Sequence, residues 1–311
     1  MKDLAPLPQA PARRVAFFGT PAMAVPVLQA LVDGGFDVAL VVTRDDKKRG
    51  RGGAFIPSAV KVAALERGLT VAHRVDDVLV VHEQQPIDLG IVVAFGALIK
   101  RPVLELIPMV NLHVSLLPRW RGAAPIERAL LAGDDITGVC LMQLEEGLDT
   151  GGVIDQRQMS ISAETTADMI ATQLMVDGTA MLLDHLHSGN FAVQPQVGEV
   201  TYAHKIESHE RQIDWGRSAV EISRLIRIGN AWTLFRDRRL KVHAAAVESA
   251  EISDLNLQVG SLLLEKDSVR VRCGEGYLQL RSVQTEGRPR VDALDWARGV
   301  RIESGESFHH G

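Results

Sequence analysis

Asp88-Leu89-Gly90-Ile91-Val92-Val93-Ala94-Phe95-Gly96 is apolar almost from end to end. A strand with one face in water alternates polar and apolar residues, whereas a run without alternation belongs to a parallel sheet covered on both sides. Arg14 to Phe18 is a second short apolar run, closed by Gly19-Thr20-Pro21. Pro21 suits the first turn of a helix, where its missing N–H costs nothing. Val25, Leu28, Leu31 and Val32 recur at helical spacing up to Gly34-Gly35, and Val38 to Thr43 is the next strand. This opening predicts an α/β fold on a doubly wound, mostly parallel sheet. No G-x-G-x-x-G follows Gly19, so the pyrophosphate turn of a nicotinamide oxidoreductase is missing. Ligands of such sheets bind beyond the carboxyl ends of the strands, which places Phe95-Gly96-Ala97-Leu98-Ile99 at the site.

The next strand carries the chemistry. In Val110-Asn111-Leu112-His113-Val114-Ser115, alternation puts Asn111, His113 and Ser115 on one face and Leu112 and Val114 on the other. An imidazole able to move a proton near neutral pH, beside an amide, suits acyl transfer. Asn-Leu-His by itself fits a half-exposed strand just as readily, since short spacings recur by accident. The continuation is far more specific: Ser115-Leu116-Leu117-Pro118-Arg119-Trp120-Arg121-Gly122-Ala123-Ala124-Pro125, then Gly138-Val139 and Gly147-Leu148-Asp149-Thr150-Gly151.

Taken together, these segments resemble the signature of the folate-dependent formyltransferases, in the form carried by methionyl-tRNA formyltransferases. The resemblance implies formyl transfer from 10-formyltetrahydrofolate to the amino group of methionine on initiator tRNA, in support of translation initiation. It implies Asn111, His113 and Asp149 as catalytic residues. It also implies folate held by the backbone of Phe95, Gly96, Ala97, Leu98 and Ile99, with Ser115, Leu116, Leu117 and Pro118 alongside. No metal is required. The implied architecture is a Rossmann-like formyltransferase domain followed by a small OB-like β-barrel.

Composition sets the outer bounds. The chain has 311 residues, 46% apolar and 23% charged, with a formal charge of −5, so any contact with RNA must be local rather than global. From Ile206 onward there are 16 Lys and Arg against 16 Asp and Glu, while the preceding residues hold 18 against 23. Two distant cysteines, Cys140 and Cys273, fit a reducing cytoplasm, and no run approaches a membrane span. The expected divisions are a loose tail over 1–12, the catalytic domain over 13–189, a linker over 190–206, an OB-like tRNA-binding domain over 207–305, and a short tail over 306–311. Short runs with turn signals after Leu240 support the barrel.

Arg44-Asp45-Asp46-Lys47-Lys48-Arg49-Gly50-Arg51-Gly52-Gly53 reads as an exposed mobile loop. Charge and glycine alone fit either a solvated surface or contact with RNA phosphates. The resemblance favours the second, implying tRNA contacts by Lys47, Lys48, Arg49 and Arg51, and by Lys205 in Thr201-Tyr202-Ala203-His204-Lys205-Ile206. It suggests a monomer as well. One rival is an N-formyltransferase acting on an amino-sugar nucleotide; another is a catalytically silent RNA-binding protein on the same scaffold. The basic loop and second domain oppose the first, and the intact trio opposes the second.

Overall fold

A computed structural model describes residues 3–48, 53, 55–248, 257–303 and 305–308. Arg49 and Arg51 lie outside the described residues. The chain forms two compact units: Met1–Ile126 with Ile136–Ser160 and Met169–His204, and Glu127–Asp135 with Ile161–Asp168 and Lys205–Gly311. Residues 190–204, read from sequence as a linker, therefore count with the first unit.

The first unit is organised on a seven-stranded sheet in the order Val153–Ser160, Ile136–Gln143, Met109–His113, Leu89–Val93, Arg14–Gly19, Asp37–Val42, Val71–Ala72. The last five are mutually parallel. Ile136–Gln143 and Val153–Ser160 add an antiparallel edge. All five residues of Leu89–Val93 are buried, as the unbroken apolar run requires. On one face Phe18, Val42, Val92 and Met109 pack with Val78 and Leu104 from helices Asp77–Gln84 and Arg101–Leu104. On the other, helix Ala167–Ser188 comes so close that a Cβ on Gly178 would lie 3.0 Å from Val139 and 3.4 Å from Leu112. Strand order reverses between Arg14–Gly19 and Leu89–Val93, which defines the crevice where such sheets bind ligands.

Two expectations are corrected here. The opening segment is no loose tail: Ala5, Leu7 and Ala12 are buried, and Ala5 N–H donates to Leu104 O. The apolar residues among its prolines find sites on the sheet and its flanking helices, which composition did not reveal. The basic loop also has an ordered foot, because Lys47–Lys48 pairs antiparallel with Phe55–Ile56.

The second unit carries an antiparallel sheet in the order Ala231–Phe235, Arg238–Glu248, Tyr277–Thr285, Val269–Arg272, Leu262–Leu264, with Val291–Asp292 also on Tyr277–Thr285. Helix Ala219–Arg227 begins at a capping box formed by Ser218 and Glu221. Trp215 is fully buried, donates Nε1–H to Thr233 Oγ1 at 3.0 Å, and stacks on Phe308 with ring centres 5.0 Å apart. Phe308 thus overturns the part of the predicted 306–311 tail that is described, 306–308, because a single aromatic there has a hydrophobic seat to fill; 309–311 lie outside the described residues. The Arg236-Asp237 turn has φ of 47° and 58°, as a two-residue hairpin demands. Its exposed Arg236 is paired with Glu306 at 2.7 and 2.8 Å.

Candidate active site

Met109–His113 ends at the site with Asn111 and His113 on the same face, 9% and 6% exposed. Their spacing is set by the strand, roughly 6.6 Å along the chain for two residues. The side-chain amide of Asn111 has no hydrogen-bond partner among the described residues. The amide is not sealed from solvent, so it faces the open site with its donors and acceptor free for a ligand.

His113 is held on both sides. Its Nε2 lies 3.0 Å from Trp120 O, which makes Nε2 the donor, and its Nδ1 lies 3.6 Å from Asp149 Oδ2. Both ring nitrogens thus face oxygens, Nε2 within hydrogen-bond distance and Nδ1 just beyond it. The same Asp149 oxygen accepts the Gly122 N–H at 2.8 Å, a charge-assisted bond that fixes the carboxylate.

The register of the sheet explains how Asp149 arrives. Ile136–Gln143 runs antiparallel to the signature strand, pairing Cys140 with His113 and Gln143 with Val110. Gln143 therefore ends about 10 Å back from His113, three residues at ~3.3 Å each. Residues 144–151 cover that distance as a loop, with Glu146 held by Arg101 at 2.9 Å. The turn predicted around Asp149 is thus the far end of a longer excursion. Asp149 sits in the left-handed region with φ of 50°, and a Cβ on Gly151 would overlap Gln143 O. Only glycine permits that return to the sheet.

The signature loop wraps the other side of His113. Ser115 Oγ–H donates to Arg119 O at 2.6 Å, while Leu117 packs with Cys140 and Met142. Trp120 has φ of 61°, a strained conformation for a side chain of that size, and its carbonyl is thereby turned onto His113. Trp120 N–H donates to Thr201 Oγ1 at 2.9 Å, and Arg121–Gly122 pairs with Tyr202–Ala203. At Gly122 φ is 122° and a Cβ would come within 2.9 Å of Ala203 O.

Phe95 to Ile99 leaves the end of Leu89–Val93, where ligand contacts were predicted. Phe95 packs edge-on to Phe18 at 5.6 Å and Ile99 is buried, so both belong to the core, while Leu98 is 70% exposed. Two carbonyls are engaged within the chain: Thr20 Oγ–H donates to Phe95 O and Arg44 to Gly96 O, each at 3.1 Å. The backbone N–H groups of Gly96, Ala97, Leu98 and Ile99 donate to no acceptor among the described residues. Donors and an exposed leucine on one loop can meet a flat ligand with a polar edge and an apolar face.

Lys47 and Lys205 are exposed, and Lys48 contributes its backbone to the ladder. The main-chain oxygen of Lys205 accepts from Arg128 at 3.2 Å. Arg44, Arg121, Gln196 and Thr201 were not singled out from sequence, yet each touches the site loops. Arg121 and Thr201 stood inside segments covered by the resemblance and Arg44 began the basic loop, whereas Gln196 stood in none. Burial raises the Cys140 thiol to about 11 and the Cys273 thiol to about 12, which removes both as nucleophiles. No cluster among the described residues has the makings of a metal site.

With this geometry in place, the comparisons are specific. The formyl transferase family matches residues 13–186, and the formyl transferase C-terminal domain matches 205–301. A methionyl-tRNA formyltransferase of Paenarthrobacter aurescens is 40% identical over 300 residues, covering 92% of this chain and 97% of that protein. Among solved structures, HypX from Aquifex aeolicus in complex with tetrahydrofolic acid superposes with a TM-score of 0.64 at 16% identity, over 96% of this chain and 51% of that one. Methionyl-tRNA formyltransferase from Clostridium thermocellum superposes with a TM-score of 0.57 at 15% identity, over 77% and 95%. At such identities the two structures speak to the fold alone.

Proposed function

This chain belongs to the methionyl-tRNA formyltransferases, and from that premise we propose that Asn111, His113 and Asp149 carry its reaction. It transfers a formyl group to the amino group of methionine on initiator tRNA. The family binds folate, and 10-formyltetrahydrofolate is the donor in this reading. The observation supporting the trio is the Asn111 amide, open to the site and without a protein partner among the described residues, on the same strand face as an imidazole whose Nδ1 lies 3.6 Å from a carboxylate.

The methionine amine attacks the formyl carbon, its lone pair forming the new C–N bond while the C=O pair moves onto oxygen. Asn111 donates its amide N–H to that oxyanion, a contact worth more in the tetrahedral intermediate than in the flat formyl group. The amine nitrogen, now cationic, must lose a proton, and the departing folate nitrogen must gain one. His113 relays it: the Nε2–H now given to Trp120 O is delivered to the departing folate nitrogen, and the Nε2 lone pair so freed takes the proton from the amine nitrogen. Asp149, fixed by Gly122 N–H, holds Nδ1 and supports the ring while it carries the extra proton. The C–N bond to folate then breaks, releasing tetrahydrofolate.

Ser115 fixes the loop, and the segment from Leu116 to Pro118, together with Phe95 to Ile99, supplies the donor slot. Lys47, Lys48, Arg49, Arg51 and Lys205 supply tRNA phosphate contacts. A cytoplasmic monomer completes the reading; no helix among the described residues is long and apolar enough to cross a membrane. The test is incorporation of labelled formyl into charged initiator tRNA, with elongator methionyl-tRNA and an amino-sugar nucleotide as alternative acceptors. Preference for either alternative overturns the acceptor assignment.

A further inference from the structure

Gln196 lies in irregular chain beyond Pro195, a position with no periodicity and no motif. Its amide is nevertheless used in full. Nε2 donates to two carbonyls of the catalytic turn, Asp149 O at 2.8 Å and Gly151 O at 2.7 Å. Oε1 accepts from the Arg121 guanidinium, Nη2 at 2.6 Å and Nε at 3.1 Å. Arg121 is the residue before Gly122, whose N–H holds the Asp149 carboxylate. One side chain therefore bridges the loop that carries His113's carbonyl partner and the loop that carries its carboxylate partner.

We propose that Gln196 is a positioning residue for the reaction, setting the Asp149 carboxylate against His113 by clasping the two loops together. The chemistry of the side chain fits the task. Two carbonyls need two donors, and a guanidinium needs an acceptor; a primary amide of this length offers both at once. The clasp also acts where the backbone needs support, since Asp149 occupies the left-handed region without being glycine. Nearby Thr201 and Ala203 hold the signature loop alone, by Trp120 N–H and the Gly122 ladder, and neither reaches the Asp149 turn. Gln196 is the member that joins the two.

The proposal rests on Asp149 acting through its side chain, so the test is a double-mutant cycle in the full-length enzyme. Gln196→Glu keeps the length and the Arg121 contact but turns a carboxylate oxygen toward two carbonyls; Gln196→Ala removes the clasp altogether, and whichever variant folds decides the matter. Each is made in the parent and in Asp149→Ala, with kcat and KM measured for charged initiator tRNA and 10-formyltetrahydrofolate. In the parent background kcat falls by at least about tenfold while both KM values stay within roughly threefold. In the Asp149→Ala background the same substitution costs no more than about twofold, because no carboxylate remains to be placed. An equal loss in both backgrounds, a rise in KM with kcat unchanged, or parent-like activity overturns the clasp. Parent-like turnover of Asp149→Ala alone overturns instead the role given to Asp149, and the clasp with it.

Discussion

Replacing Asn111 by alanine separates what this residue does for catalysis from what it does for the fold. Asn111 is 9% exposed and its amide meets no hydrogen-bond partner among the described residues, so truncation breaks no bond within the protein. The amide is open to solvent, so its removal returns little desolvation, and the lost packing of a short, partly exposed side chain costs about 1 kcal/mol. Stability should therefore stay within about 1 kcal/mol of the parent, a shift in Tm of no more than ~3 °C. Catalysis should respond on another scale, because losing one oxyanion donor typically lowers kcat by ~10²–10³, or about 2.7–4 kcal/mol of transition-state stabilisation. The assay pairs a thermal melt with single-turnover transfer of labelled formyl to charged initiator tRNA. Turnover within about tenfold of the parent refutes oxyanion donation; a rise in KM with kcat unchanged shows ground-state binding instead. A fall in Tm of ~10 °C or more would show that the amide has a partner in the fold after all.

His113→Ala should lower kcat by at least about 100-fold while tRNA affinity, measured by filter binding, stays near the parent value. Phe308→Ala should cost about 3–5 kcal/mol in denaturant unfolding, since the ring fills the seat against Trp215 and Trp296; a change under ~1 kcal/mol would mean the chain end is not docked. Burial disfavours the thiolate, so with thiols at about 11 and 12 both cysteines stay protonated at pH 8 and resist alkylation until the chain is unfolded. Arg51→Ala should weaken tRNA binding and reduce its salt slope by roughly one phosphate contact; an unchanged slope removes the phosphate role.

The parallel part of the sheet was legible because burial on both faces leaves a plain mark, the apolar run from Leu89 to Val93. Asn111 and His113 were legible for a related reason: strand alternation fixes which side chains share a face, whatever the rest of the chain does. Asp149 could be named by resemblance, but not its route, because an antiparallel edge strand and a returning loop leave no period in the sequence. Gln196 was invisible for the same reason, its value coming from four hydrogen bonds to three residues on loops distant in the chain. Ala5, Leu7 and Phe308 were misjudged as tail because a few isolated apolar residues carry no pattern until the surface that receives them is known.

The antiparallel edge divides the groups proposed for catalysis into two mechanical classes. Asn111 and His113 ride on a strand flanked by neighbours on both sides, so their separation is as stiff as the sheet itself. The carboxylate hangs at the end of an eight-residue span, 144–151, and its aim depends on ties that can be lengthened, shortened or replaced without disturbing a single strand pairing. Insertions there should leave the placement of Asn111 and His113 intact while moving the carboxylate against the ring, making that span the natural place to vary the site without touching the sheet.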